Sequence, residues 1–172
     1  EVTKQKKQML KSAEGVRNGN IKSHSGKKYT SVLAIGIGGS DLGPRMSVKA
    51  LTPFKSKIDV RFVSNIDPSD LINVTADLDP SRTLIIVSSK TFTTVETLAN
   101  AKAAFNWLAK NIGEIGAKNQ QYAITSNFDN AKKFGFDATK ILLFSEWVGG
   151  RTSIWSSVGL PLAISIGEKL FK

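Results

Sequence analysis

Three stretches of this chain gather residues able to hold an anion. The first is Gly36-Ile37-Gly38-Gly39-Ser40-Asp41-Leu42-Gly43-Pro44, the second Ser88-Ser89-Lys90-Thr91-Phe92-Thr93-Thr94. The third, residues 146–159, carries Gly149-Gly150 directly before Arg151. Glycines allow sharp turns and close backbone approach. Hydroxyls and free N–H groups at a helix start suit a phosphate. Arg151 is a cation able to stabilise a developing oxyanion. The glycine spacing is not the dinucleotide fingerprint, because the third glycine comes late, at Gly43.

Each stretch also has a plainer reading. Ser and Thr cap helices where no ligand binds. Lys90 adds charge to a site or points to solvent, and Arg151 is a site cation or a surface residue after a turn. Trp147 and Trp155 read as core or interface packing rather than ligand stacking. His24, the one histidine, falls in a polar loop and reads as solvated.

The elements that must position these stretches alternate. Residues 2–18 form an amphipathic pattern, with Val2, Met9, Ala13 and Val16 on one side and Gly19 as its stop. A polar loop, 20–29, follows. Short apolar runs at 31–37, 58–64, 83–89, 121–125 and 140–144 predict strands. A helix is expected around 45–51, starting near Pro44. Asp67 and Pro68 read as N-cap and first helical residue of the next. Thr93 and Glu96 read as a capping box opening a helix to about Lys110. A short helix at 129–134 stops at Gly135. From Thr152 onward a serine-rich apolar helix is expected, interrupted near Gly159 and Pro161.

About five short Val/Ile/Leu-rich strands separated by helices predict an α/β fold, a three-layer αβα sandwich with a parallel sheet. With strand order 2-1-3-4-5, the loops after strands 1 and 3 flank the crevice where such sheets bind ligands. The first two anion-suited stretches are those two loops.

The 172 residues suffice for one domain with a sizeable core, and 41% are hydrophobic. No apolar run is long enough for a bilayer, and the amino end lacks the apolar core of a secretory signal. Cysteine is absent, which removes disulfides and thiolate metal sites and is compatible with a cytoplasmic setting. The net charge of +10 raises a nucleic-acid reading. Beyond Lys4, Lys6, Lys7 and Lys11 the basic residues are scattered, and no nucleic-acid motif appears, so that reading is set aside. The chain begins at Glu1 and ends inside a helical pattern, 164–172, which suggests a fragment of a longer protein.

Taken together, GIGGSDLGP, the FVSNID segment at 62–67, SSKTFTT with Glu96 following, and EWVGGR…IWSSVGL resemble the glucose-6-phosphate isomerase family. The resemblance runs over nearly the whole chain and is to the amino-terminal sugar-isomerase (SIS) domain. It implies one SIS domain over residues 1–172, with 1–29 as a helix and loop leading into it. It implies interconversion of glucose 6-phosphate and fructose 6-phosphate through a cis-enediol, with no metal or organic cofactor. In that pattern Ser40, Ser89, Thr91 and Thr94 hold the phosphate with the Lys90 backbone nearby. Gly39 lies against the sugar and Arg151 faces the enediolate. The full enzyme is expected to be a cytoplasmic homodimer that shares a histidine across its interface.

The chain departs from the pattern in two ways. Thr152 stands where the family usually has an aromatic residue. The family's base glutamate, ring-opening histidine and later lysine have no match: none of Glu14, Glu96, Glu114, Glu146 or Glu168 sits in the base's motif. The alternatives are a non-catalytic sugar-phosphate-binding SIS module and, third, a nucleotide binder.

Overall fold

The computed structural model describes residues 1–172. Five parallel strands form one sheet in the order β2-β1-β3-β4-β5. They are β1 (Ser31–Ile35), β2 (Asp59–Val63), β3 (Thr83–Ser88), β4 (Gln121–Thr125) and β5 (Ile141–Leu143). The central register pairs Ile35 of β1 with Val63 and Val87, so β1 and its two neighbours end together. The order, the parallel pairing and the helices on both faces agree with the sequence-based expectation.

Alternation along the strands explains the three layers. Val32, Leu84, Ile86, Tyr122, Ile124 and Leu142 point to one core. Their neighbours Leu33, Ile85, Val87, Ala123 and Ile141 point to the other. Both faces are therefore dry, which is why the runs read as continuously apolar. The first face is covered by α1 (Val2–Asn18), α6 (Leu160–Ile166) and α7 (Glu168–Phe171), the second by α3 (Pro68–Thr75), α4 (Val95–Asn119) and α5 (Phe128–Phe134). Each fully buried Leu, Ile or Phe contributes about 1.5–3 kcal/mol through removal from water.

Helix α1 belongs to this body. Met9, Ala13 and Val16 are buried as expected, while Val2 is exposed. The Arg17 guanidinium donates to the carbonyls of Ile164 (2.6 Å) and Ser165 (3.0 Å), stitching α1 to the end of α6. Glu14 accepts from the Glu168 N–H at 2.9 Å.

Several boundaries differ from expectation. Helix α2 (Gly39–Ala50) starts inside the glycine stretch, so Pro44 lies within it. Helix α4 runs past Lys110 and breaks at Gly113 (φ 76°, ψ 162°) before ending at Asn119. Its N-cap is Thr94, without a side-chain cap; Thr93 instead shares a 2.7 Å hydrogen bond with Thr91, so no capping box forms. The segment after β5 is two 3₁₀ turns, Arg151–Trp155 and Ser157–Gly159, then α6, which carries Pro161 in its first turn. Pro there lacks only an N–H that would be unpaired anyway. The interruption expected near Gly159 is the change from 3₁₀ turn to α6 there, and a second break falls at Gly167, between α6 and α7.

Candidate functional site

At the carboxyl ends of β1 and β3 the chain crosses to opposite faces of the sheet. This is the switch point where open parallel sheets leave a crevice. The crevice here is a cleft of about 200 Å³. All three anion-suited stretches reach it: Gly39 and Ser40 from the first, Ser88, Ser89, Lys90 and Thr94 from the second, Gly149, Gly150 and Ser153 from the third.

The glycine stretch brings helix α2 into backbone contact with the third stretch. Gly38 turns the chain at φ 58°, outside the reach of most L-residues. A β-carbon on Gly39 would lie 2.7 Å from the Gly150 carbonyl oxygen, and one on Gly43 would lie 2.5 Å from that of Arg151. Ser153 Oγ donates to the Gly39 carbonyl at 3.2 Å, closing the seam. Gly39 and Gly43 thus serve approach of protein to protein, and Gly39 also lines the cleft.

Asp41, in the first turn of α2, is buried and paired with Arg45. Arg45 Nε lies 2.9 and 3.1 Å from the two carboxylate oxygens, and its Nη2 donates to Ser64 Oγ at 3.2 Å. The guanidinium also stacks on the Phe62 ring, 5.4 Å from its centroid. This clamp fixes the turn that carries Ser40.

The second stretch leaves its donors open. Helices α3 and α5 are capped by Asp67 and Asn127, whereas α2 and α4, which open at the cleft, have no side-chain cap. No backbone carbonyl accepts from the N–H groups of residues 90–97. Successive free amides at a helix start form an anion-binding concavity. Ser89 Oγ donates to Thr94 Oγ1 at 3.3 Å, so these two hydroxyls are held together at the floor.

Gly39, Ser40, Ser89, Lys90 and Thr94 line the cleft. Thr91 and Arg151 do not. The Thr91 hydroxyl is turned to Thr93, and Arg151 is exposed, with its backbone against Gly43. Trp147 (77%) and Trp155 (61%) are exposed, so neither is core within this chain. They border a second groove of about 490 Å³ with Val2, Gln5 and Lys6. The backbone of His24 donates to Gln120 Oε1 at 2.9 Å, well away from the cleft.

One lining residue escaped the sequence reading. Thr97 is only 2% exposed, and its Oγ1 is the one buried side-chain polar atom with no hydrogen-bond partner. It lines the cleft one helical turn beyond Thr94. That i, i+3 spacing puts the two hydroxyls on one face of α4 and was the available signal. No carboxylate or histidine lines the cleft.

Phosphoglucose isomerase is the family whose model matches, over residues 1–172. The chain belongs to the phosphoglucose isomerase family. A glucose-6-phosphate isomerase of Caulobacter sp. (strain K31) is 51% identical over 159 residues, 92% of this chain and 30% of the relative. One from Caulobacter vibrioides (strain NA1000 / CB15N) is 47% identical over 172 residues, 100% of this chain and 32% of the relative. Among solved structures, a glucose-6-phosphate isomerase from Chlamydia trachomatis D/UW-3/Cx superposes with a TM-score of 0.80 at 28% identity. That match covers 98% of this chain and 31% of the other. A hypothetical protein from Thermus thermophilus superposes at 0.73 with 29% identity, over 90% of this chain and 36% of that one. This phosphoglucose isomerase-family chain thus spans about a third of the length of the relatives it matches.

Proposed function

We propose that this chain supplies the phosphate-binding part of a site for reversible isomerisation of glucose 6-phosphate and fructose 6-phosphate. The observation that carries the reading is the convergence of free amides and hydroxyls on one cleft, including the unpartnered Thr97 hydroxyl. A buried hydroxyl without a partner costs free energy, and a ligand oxygen offsets that cost. A tetrahedral phosphate presents several acceptor oxygens and accepts from many donors at once.

In this reading Ser40, Ser89, Thr91 and Thr94 hold the phosphate together with the Lys90 and Thr91 amides. Gly39 borders the sugar. Gripping the phosphate fixes C1 and C2 of the opened sugar for proton transfer. A carboxylate base then moves the proton between them through a cis-enediol, and the charge gathered on the sugar oxygens is met by Arg151. The base and the ring-opening histidine are assigned to the remainder of a longer enzyme, since the cleft lining contains neither group. That enzyme is read as a cytoplasmic homodimer whose reaction uses neither metal nor organic cofactor.

Calorimetric titration of the chain with fructose 6-phosphate, inorganic phosphate and a nicotinamide nucleotide tests this. Fructose 6-phosphate binds, phosphate competes with it, and the nucleotide does not bind. A coupled isomerase assay of the same sample gives no turnover. Absence of both phosphate and sugar-phosphate binding sinks the reading; turnover by the 172 residues alone sinks the division of labour.

A further inference from the structure

The amides of residues 90–94 are free, but nothing in that loop itself fixes which way they face. It lies between β3 and α4, and the backbone hydrogen bonds that hold it come from elsewhere. The Ser89 N–H donates to the Ile124 carbonyl at 3.0 Å, extending the sheet by one bond. The Lys90 carbonyl then accepts from Thr125 Oγ1 (2.9 Å), Ser126 N (3.0 Å) and Ser126 Oγ (2.8 Å). The Thr91 carbonyl accepts from Asn130 Nδ2 at 2.9 Å. The residues that hold the loop lie in β4, the turn after it and the start of α5. Phe92, the next residue of the loop, is the only non-glycine residue at positive φ (56°). Its ring is buried edge-on against Phe134 and Phe136, with centroids 5.8 and 5.5 Å away. A bulky residue persists in that backbone region only where its surroundings hold it there.

In a trans peptide the carbonyl and the following N–H point in opposite directions. A carbonyl drawn back onto β4 and α5 therefore sends the next N–H forward. We infer that Ser126 and Asn130 are positioning residues of the cleft: by holding the Lys90 and Thr91 carbonyls, they fix the turn that aims the Thr91 amide at a bound phosphate. The inference rests on the phosphate reading above. It adds that affinity is set partly by a segment that does not touch the ligand, since neither residue lines the cleft. Such preorganisation lowers the cost of binding, because the donors need no rearrangement.

The test uses Ser126→Ala, Asn130→Ala and Asn130→Asp, titrated with fructose 6-phosphate and melted in its absence. Asn130→Ala weakens binding about three- to tenfold, the worth of one orienting hydrogen bond, at unchanged Tm; Ser126→Ala weakens it less, because Thr125 Oγ1 and the Ser126 N–H still hold the Lys90 carbonyl. Asn130→Asp is the sharper case. A carboxylate in the first turn of α5 favours the helix dipole, so Tm holds or rises. It cannot donate to the Thr91 carbonyl, so binding weakens at least as much as in Asn130→Ala. Amide NMR supplies a second readout: added inorganic phosphate shifts the Thr91 N–H resonance in the wild type and shifts it less in Asn130→Ala. Wild-type affinity in the variants, or losses that simply track a fall in Tm, overturns the positioning role while leaving the phosphate reading intact. A wild-type chain that binds neither ligand overturns both.

Discussion

The α-carbon of Gly43 faces the carbonyl oxygen of Arg151 so closely that a β-carbon would lie 2.5 Å from it. The obstacle is backbone, so no side chain can swing aside. Gly43→Ala must push α2 away from the turn that carries Arg151. A cost of about 1–3 kcal/mol is expected, as for other overpacked sites, which lowers Tm by roughly 2–4 °C per kcal/mol in a chain of this size. Gly38→Ala differs in kind: its β-carbon meets open space, and its cost comes from φ 58° alone. Thermal melts of the two variants separate packing from backbone strain.

Thr97→Val carries an expectation of unusual sign. Removing a paired buried hydroxyl destabilises a protein. Removing an unpaired one relieves a desolvation cost. Since Thr97 Oγ1 has no partner, the isosteric valine should leave stability unchanged or raise it by up to about 1 kcal/mol. Fructose 6-phosphate binding should weaken by about fivefold or more, one hydrogen bond to a charged oxygen. Denaturant unfolding and calorimetry on one sample measure both, and a loss of stability would mean that the hydroxyl has a structural partner.

The Asp41–Arg45 clamp predicts a coupled loss. Arg45→Met leaves a carboxylate whose side chain is 5% exposed without its counter-ion. Removing one partner of a fully buried pair costs about 3–5 kcal/mol. Arg45 itself is 42% exposed, so about 2 kcal/mol is expected here. Arg45→Lys keeps the charge but loses the two-point hold on the carboxylate and should fall between. Urea unfolding gives the stability ranking. Because Ser40 shares the same turn, phosphate affinity should follow the same order.

Acid unfolding should reflect Asp77. Its hydrogen bond to the Arg61 guanidinium, Nη2 to Oδ2 at 2.9 Å, lowers its pKa to about 2. A carboxyl group lowered on folding contributes stability that is fully present above its unfolded value near 4 and is lost as pH falls through about 2. Asp67, Asp79 and Asp137, each lowered by hydrogen bonds to nearby Ser or Thr, act in the same direction. Stability should therefore be flat above about pH 5 and decline between about pH 4 and 2. Asp77→Asn should make that decline shallower without moving the neutral plateau by much, since the pair is solvent-exposed. Urea titrations across the pH series measure it.

The sequence by itself determined the layered sheet and the order of its parts. Short apolar runs with both faces dry have few other folds open to them, and local signals such as Asp67-Pro68 and Gly135 act through neighbours in the chain. The motif stretches were legible for the same reason, since each is contiguous. What only the tertiary structure decided depends on partners far along the chain. Gly39 and Gly43 read as glycines for turning and close approach, but what they approach is set by Gly150 and Arg151, more than a hundred residues on. Thr93 and Glu96 satisfy a local rule for a capping box, yet the Thr93 hydroxyl is taken by Thr91. The amides beside it have their direction fixed by Ser126 and Asn130, across the sheet. The Thr97 hydroxyl looks like any helical threonine until the burial around it is known. Local chemistry writes which groups a site contains. Where those groups point is set by hydrogen bonds and packing that exist only once the chain has closed on itself.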